Sequence, residues 1–148
     1  MTDLALHWFN ADFGADLALA NGALATDDGL RTAFLISLFS DARARPDDVL
    51  PQGEDPRGWW GDAYITKPDD QTGSRLWLLS REKKTPAVLI RARDYAREAL
   101  AWAIEDGICA TIDVVTEVFG RDGLAIGITA TRARGEAAQR FDFVWENV

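Results

Sequence analysis

The stretch Ile108-Cys109-Ala110-Thr111-Ile112-Asp113-Val114-Val115-Thr116-Glu117-Val118 decides the fold. Its even positions Ile108, Ala110, Ile112, Val114 and Val118 are apolar, and its odd positions include Thr111, Asp113 and Glu117. A period of two describes a strand with one face buried and one face wet. Arg121-Asp122-Gly123 turns the chain, and Leu124, Ile126, Ile128 and Ala130 then fall on one face of a second strand. Near the C-terminus Phe141, Phe143 and Trp145 alternate with Asp142 and Glu146. The last third of the chain is therefore expected to be a strand meander.

Upstream of it the period changes. Leu89, Ala92, Ala96, Ala99, Leu100 and Ala103 recur at steps of three and four, which predicts a helix whose small side chains let another element come close. Thr85 is its expected cap, Pro86 fits its first position, and Asp106-Gly107 stops it. Ser74–Arg81 reads as a short helix carrying Leu76, Trp77 and Leu79. An earlier helix is expected from a cap at Thr26, Asp27 or Asp28, through an apolar stripe of Leu30, Phe34 and Leu38 flanked by Ala33 and Leu35, to a stop at Pro46. Before that, Leu4, Leu6 and Trp8 suggest a strand, and Asn21-Gly22 within Asp16–Thr26 is a strong two-residue hairpin signal, with Leu17, Leu19 and Leu24 as its apolar face. The expected class is α+β: one mainly antiparallel sheet with one face covered by two or three helices, preceded by an N-terminal hairpin.

The chain has 148 residues, which suits a single domain over residues 1–148 with a core of its own. Its 47% apolar and 27% charged content fits a globular protein. The lone cysteine, Cys109, allows no disulfide within the chain. No apolar run approaches the ~18 residues of a membrane span, and Met1-Thr2-Asp3-Leu4 lacks the basic region of a signal peptide, so a reducing compartment and no membrane partner are expected. A net charge of −8 argues against a nucleic-acid partner. That charge is uneven: residues 1–70 hold 13 acidic and 5 basic side chains, residues 71–148 hold 11 of each, and the stretch from Arg75 to Arg97 is basic. Such a stretch is either a solvated face or a surface for an acidic neighbour.

Chemistry is hard to find in these residues. There is no phosphate-binding G-x-x-x-x-G-K-[ST] and no dinucleotide G-x-G-x-x-G. One histidine, His7, and Cys109 cannot build an ordinary zinc site, so neither a metal nor a cofactor is expected. Asp47-Asp48 and Asp69-Asp70 are acidic pairs of the kind usually found solvated. Glu105, after Ile104, is the one glutamate next to an apolar segment, and a glycoside hydrolase would need two such acids at a set separation. Residues 46–74 form the longest irregular stretch, with four of the five prolines and the run Arg57-Gly58-Trp59-Trp60-Gly61-Asp62. A loop of this length inside a domain is often functional. Its two tryptophans either plug the core or meet a partner.

Four stretches carry a resemblance: Arg31–Arg43, the Arg57-Gly58-Trp59-Trp60-Gly61-Asp62 run, Gly73-Ser74-Arg75-Leu76-Trp77-Leu78-Leu79-Ser80-Arg81-Glu82-Lys83, and Tyr95–Trp102 followed by Glu105-Asp106-Gly107. In this order they resemble the small tail baseplate protein of Mu-like contractile phages, a family related to the sheath-initiating wedge subunit of T4-like phages and its type VI secretion counterpart. The resemblance spans the whole chain. It implies a structural subunit of the tail baseplate, assembled in the host cytoplasm, that links wedge proteins to the tube and sheath and helps initiate the sheath. The partners it implies are a baseplate-J-like wedge protein, the tail sheath and central baseplate proteins. The wider family once carried a lysozyme-like label, so a peptidoglycan hydrolase associated with the tail is the alternative. T4-like members have a Glu-Pro-Arg triplet between the long helix and the next strand. Here that place reads Glu105-Asp106-Gly107, and Glu105 alone agrees. Expected partner-binding residues are Arg57, Trp59, Trp60 and Glu105, together with Trp8 and Trp145 on the candidate edge strands. Strand exchange through such edges is the expected means of joining the sheath.

Overall fold

The structure, a computed structural model, describes residues 3–9, 14–27, 29–67 and 70–146. Along these residues run strands β1 (Asp3–Leu4), β2 (Leu6–Phe9), β3 (Gly14–Leu17), β4 (Leu19–Ala20), β5 (Ala23–Leu24) and β6 (Thr26–Asp27), then helix α1 (Leu30–Phe39). After a long irregular segment with two 3₁₀ turns, Trp60–Tyr64 and Leu76–Leu79, come helix α2 (Pro86–Glu105) and strands β7 (Cys109–Phe119), β8 (Gly123–Arg132) and β9 (Gln139–Glu146).

The meander forms as its periodicity dictates. β7, β8 and β9 make one antiparallel sheet with β8 in the middle. Leu124, Ile126, Ile128 and Ala130 are all buried, as are Phe141 and Phe143 from β9. The inward set of β7 differs from expectation. Cys109, Ile112 and Val114 are buried, whereas Ala110 is exposed and Ile108 and Val118 lie largely in water. Val118 keeps the phase of Ile112 and Val114 and is exposed near the far end of the strand, whereas at its start Cys109 faces Arg132 and Thr111 faces Thr131, so Ala110 is an extra residue. Such a bulge reverses the in–out phase of the strand.

Both helices contribute to the same core as the inner face of this sheet. α2 supplies Val88, Ala92, Ala96, Leu100 and Ala103, and α1 supplies Leu30, Phe34, Leu35 and Leu38. The start of α2 is as expected: the Thr85 hydroxyl accepts from the Val88 N–H at 3.4 Å, and Pro86 follows it. The Thr116 hydroxyl donates to the Leu89 carbonyl at 2.8 Å and ties β7 to α2. The four residues of the second 3₁₀ turn are all buried, in line with the short helix expected there. α1 begins and ends differently from expectation. Its cap is Gly29, in the left-handed region at φ 89°, with no side-chain cap bond, and Asp28 lies outside the described residues. It stops at Phe39, well before Pro46, because Ser40 is extended.

The N-terminal strands do not join the main sheet. β1 pairs with β6, β2 with β3, and β4 with β5, each antiparallel. The mixed α+β class therefore stands, with two helices among the described residues, but the single sheet is replaced there by one three-stranded and three two-stranded sheets. The three small ladders meet where Ala18 N–H donates to Ala5, Ala5 N–H to Ala25, and Ala25 N–H to Ala18, at 2.8–2.9 Å. This closed triangle of backbone bonds lets three chain passages change partners without leaving those groups unpaired. The β4–β5 arm is the expected hairpin: Asn21 and Gly22 have φ 52° and 78°, as a type I′ turn requires. Thr32, buried in α1, docks the arms by donating to the Leu4 carbonyl and accepting from the Leu6 N–H.

The irregular segment is closed at its neck. Ala42 N–H donates to the Ser74 carbonyl and Ser74 N–H to the Ser40 carbonyl, each at 2.9 Å. Gly73 makes this approach possible, since its φ is 99° and a Cβ there would lie 2.4 Å from the Ser40 oxygen. Gly107 also has positive φ but has open space around it. Gly107→Ala is expected to cost about 1 kcal/mol from conformation alone. Gly73→Ala should cost at least about twice that, because backbone must also move. Urea denaturation midpoints of the two variants check the order.

Candidate functional site

The closed loop from Asp41 to Gly73 presents aromatic rings to solvent. Trp59, Trp60 and Tyr64 are 47%, 75% and 80% exposed. They touch one another in series: Trp59 and Trp60 centroids are 5.5 Å apart, and Trp60 and Tyr64 rings meet edge-on at 6.3 Å. Trp59 folds over Gly61, where any Cβ would strike its ring, so the glycine of the W-W-G-D run leaves room for the ring. Of the two readings open for these tryptophans, the structure places them at the surface and not in the core.

The base of the loop is as ordered as the rings are exposed. Arg75 is 8% exposed yet charged. Its guanidinium donates to both oxygens of Asp48 at 2.8 and 3.0 Å and to both of Glu98 at 3.2 and 2.9 Å, and it lies 4.5 Å from the centre of the Tyr95 ring. Burial works against the Arg75 charge, but its bonds to Glu98 and Asp48 outweigh burial and hold the pKa above the usual arginine value. Burial likewise pushes the Asp48 carboxyl up, and hydrogen bonds from the Arg45 N–H and Arg75 outweigh it, so its pKa lies below the ordinary carboxylate value. Arg75 thereby fastens residues 45–48 of the loop to α2. A second clasp involves Arg57, whose guanidinium donates to Asp41 at 2.7 Å and stacks 4.5 Å from the Trp77 ring centre. Trp77, in turn, donates through Nε1 to the Ala42 carbonyl at 2.8 Å. Arg57 itself sits at φ 52°.

The remaining expected site residues fall in two places. Trp8 and Trp145 line one cleft of about 660 Å³ with Phe39, Arg57 and Trp77. Trp8 stacks on Phe39 at 4.3 Å, and its Nε1 donates to the Val144 carbonyl at 2.9 Å. Lys84 lies 5.2 Å from the Trp145 ring centre, and burial pushes its ammonium pKa down despite Asp122 and Glu82. Glu105 is apart from these. It is exposed at the last residue of α2 and lines a different groove, with Trp102 and Asp106. Two acids there oppose the helix dipole, and no basic residue stands in the last turn to offset them. His7 is exposed beside Phe9, while Cys109 is buried in the core, where burial pushes its thiol pKa up against the opposing effect of Arg132.

Among the described residues, three of the seven cations of the basic stretch Arg75–Arg97 are paired within the molecule. Arg75 is spent on Asp48 and Glu98, Arg91 on Glu82 and Arg93 on Asp94. Sequence reasoning also passed over Tyr64 and the partners of Arg75. The spacing of Trp60 and Tyr64, four apart, was a usable signal for a shared helical face. No sequence signal joins Arg75 to Asp48 and Glu98, which are 27 and 23 residues away.

Three comparisons bear on this arrangement. A family model described as phage protein GP46 matches residues 30–137. The chain is 48% identical over 136 residues to the baseplate protein gp46 of Escherichia phage Mu, covering 91% of this chain and 90% of the relative. It is 40% identical over 140 residues to the Mu-like prophage FluMu protein gp46 of Haemophilus influenzae, covering 95% of this chain and 94% of the relative.

The matched span takes in the whole loop and the clasp that closes it. Arg75→Met is expected to cost about 3 kcal/mol, because Asp48 then keeps a buried charge without its partner. The pH dependence follows from Asp48. Its folded pKa is depressed, so its contribution is present above the unfolded carboxylate value of about 3.9 and is lost as pH falls through the lower folded value. Thermal melts between pH 6 and pH 2 should show an acid limb that is shallower in Arg75→Met than in the parent.

Proposed function

The chain belongs to the GP46 family of phage proteins, and on that premise we propose that it is a structural, non-enzymatic subunit of a contractile phage tail baseplate. In this reading it joins a wedge protein of the baseplate-J type to the tube and sheath proteins and helps start the sheath. It acts in the virion tail, is built in the host cytoplasm, and uses no cofactor, nucleic acid or membrane.

The observation that carries the reading is the Trp59–Trp60–Tyr64 group, held out on an anchored loop. Exposed rings are costly in water, and tryptophan and tyrosine on rigid supports are the usual anchors of protein interfaces. Because the loop is already ordered, little entropy is lost when a partner covers it. The edge of the main sheet supports the sheath part. β9 is an outer strand of that sheet, and the Val144 carbonyl is met there by the Trp8 indole. An outer strand can accept a strand from another protein. The other terminal candidate, β2, is likewise an outer strand, of the two-stranded sheet it forms with β3. Arg57 acts in this reading by holding the loop that carries the rings, and Glu105 offers a separate polar contact to the wedge.

The experiment is Trp60→Ala and the double change Trp59→Ala/Trp60→Ala in the full chain. Both variants should fold, with stability within about 1 kcal/mol of the parent, and both should fail to support sheathed tails seen by electron microscopy. The purified parent should release no fragments from peptidoglycan. Unfolding of Trp60→Ala would show the ring to be structural, normal tails from the double variant would remove the interface, and turnover of peptidoglycan abolished by Glu105→Gln would make the protein an enzyme.

A further inference from the structure

Residues Leu17-Ala18-Leu19-Ala20-Asn21-Gly22-Ala23-Leu24-Ala25-Thr26 contain no charge. They fold into β4, the type I′ turn and β5, with Leu19 opposite Leu24 and Ala20 opposite Ala23. Leu17, Leu19 and Leu24 are 44%, 73% and 49% exposed, and none of them belongs to the core cluster. The conformation is thus tightly specified by Asn21-Gly22 although the core makes no use of it. A two-stranded hairpin alone is marginal in water. An apolar one with free edges and no Lys, Pro or charge to blunt them is an aggregation hazard unless something covers it.

The charge around the hairpin says what covers it. Residues 1–29 hold five aspartates and no lysine or arginine. Asp16 stands exposed at the foot of the hairpin, its Oδ1 accepting the Leu17 N–H at 2.7 Å. An apolar tip with an exposed aspartate at its foot, in a segment without a lysine or arginine, fits an apolar cleft rimmed by Lys and Arg. It opposes an anionic membrane surface, which attracts basic segments. A second copy of this chain is poorly suited, because a net charge of −8 on each copy opposes their approach.

We infer that the β4–β5 hairpin is a plug that seats its leucines in an apolar, basic-rimmed cleft on another protein subunit of the same tail. The inference rests on the baseplate reading and adds to it a second contact, independent of the tryptophan loop. Specificity comes from the two cross-strand leucines, which the turn fixes in register. The aspartates add attraction that salt weakens.

The test is co-purification of the full chain with each tail subunit encoded beside it, at 50 mM and 500 mM salt, for the parent, Leu19→Ser/Leu24→Ser and Trp59→Ala/Trp60→Ala. One subunit should be retained by the parent at low salt. Retention should fall at least about tenfold in the leucine variant and also fall in high salt, with the melting temperature unchanged. Equal retention by the leucine variant, while the tryptophan variant loses a partner, overturns the plug and leaves the baseplate reading intact. If the parent retains none of the subunits, both fail together. Parent dimerisation in sedimentation that the leucine changes abolish would assign the hairpin to a second copy, and flotation with phosphatidylcholine vesicles would assign it to lipid. A collapsed melting temperature in the leucine variant would show the leucines to be structural. Each of these outcomes overturns the inference.

Discussion

A single buried guanidinium sets the shape of the loop that matters most. Taking the Arg75 charge out of water is expensive, and the expense is offset only if all its neighbours are in place at once. Asp48 comes from the loop, and Glu98 and Tyr95 come from α2. Their positions are therefore not independent. The loop cannot drift from the helix without stranding a charge, so residues with little regular structure gain the rigidity of a helix. Planarity matters as well. Arginine reaches two carboxylates and a ring face together, a geometry that a lysine cannot reproduce.

From that clasp the order spreads outward. Arg75 begins the buried 3₁₀ turn that carries Trp77, and Trp77 holds both the Ala42 carbonyl and the face of Arg57. Arg57 lies two residues before Trp59. The distance from buried charge to exposed ring is thus a short chain of directed contacts. The neck at Ser40, Gly73 and Ser74 closes the same loop from its ends, and there only a glycine fits. Two independent closures on one loop explain how its tip can hold three aromatic rings in water without collapsing them onto the core.

Much of this was legible in the sequence, and the parts that were not share a cause. The meander could be read because alternation in β8 and β9 is local and unbroken, and α2 could be read because Thr85-Pro86 and Gly107 mark its ends. β7 was read with the wrong residues inward at its start, because a bulge at Ala110 changes phase without changing composition. The α1 cap was misplaced for a similar reason: a glycine in a left-handed conformation does the work expected of Thr26 or an aspartate. The separate N-terminal sheets depend on the three alanine bonds, which no residue type announces. Within the basic stretch, the pairing of Arg75 with Asp48 and Glu98 is tertiary, across 27 and 23 residues, so composition does not announce it. Among the site residues, Trp59 and Trp60 could be singled out, but only the structure sets them at the surface.

Exposed leucines and tryptophans raise a problem that the composition answers. Trp60, Tyr64 and Leu19 are each more than two-thirds in water, the rings on a loop closed at its neck and the leucine on a hairpin. A neutral chain with such groups would associate with itself. The net charge of −8 opposes this by repulsion between copies. The net negative charge lies in residues 1–70, the same part that carries the hairpin and the loop, where 13 acidic side chains stand against 5 basic ones. The same charge that keeps two copies apart favours a basic partner, so one distribution serves both solubility before assembly and selectivity during it. That coupling shows how apolar groups can be exposed on a chain of this charge: repulsion guards them over distances up to a Debye length, roughly 8–10 Å at physiological salt.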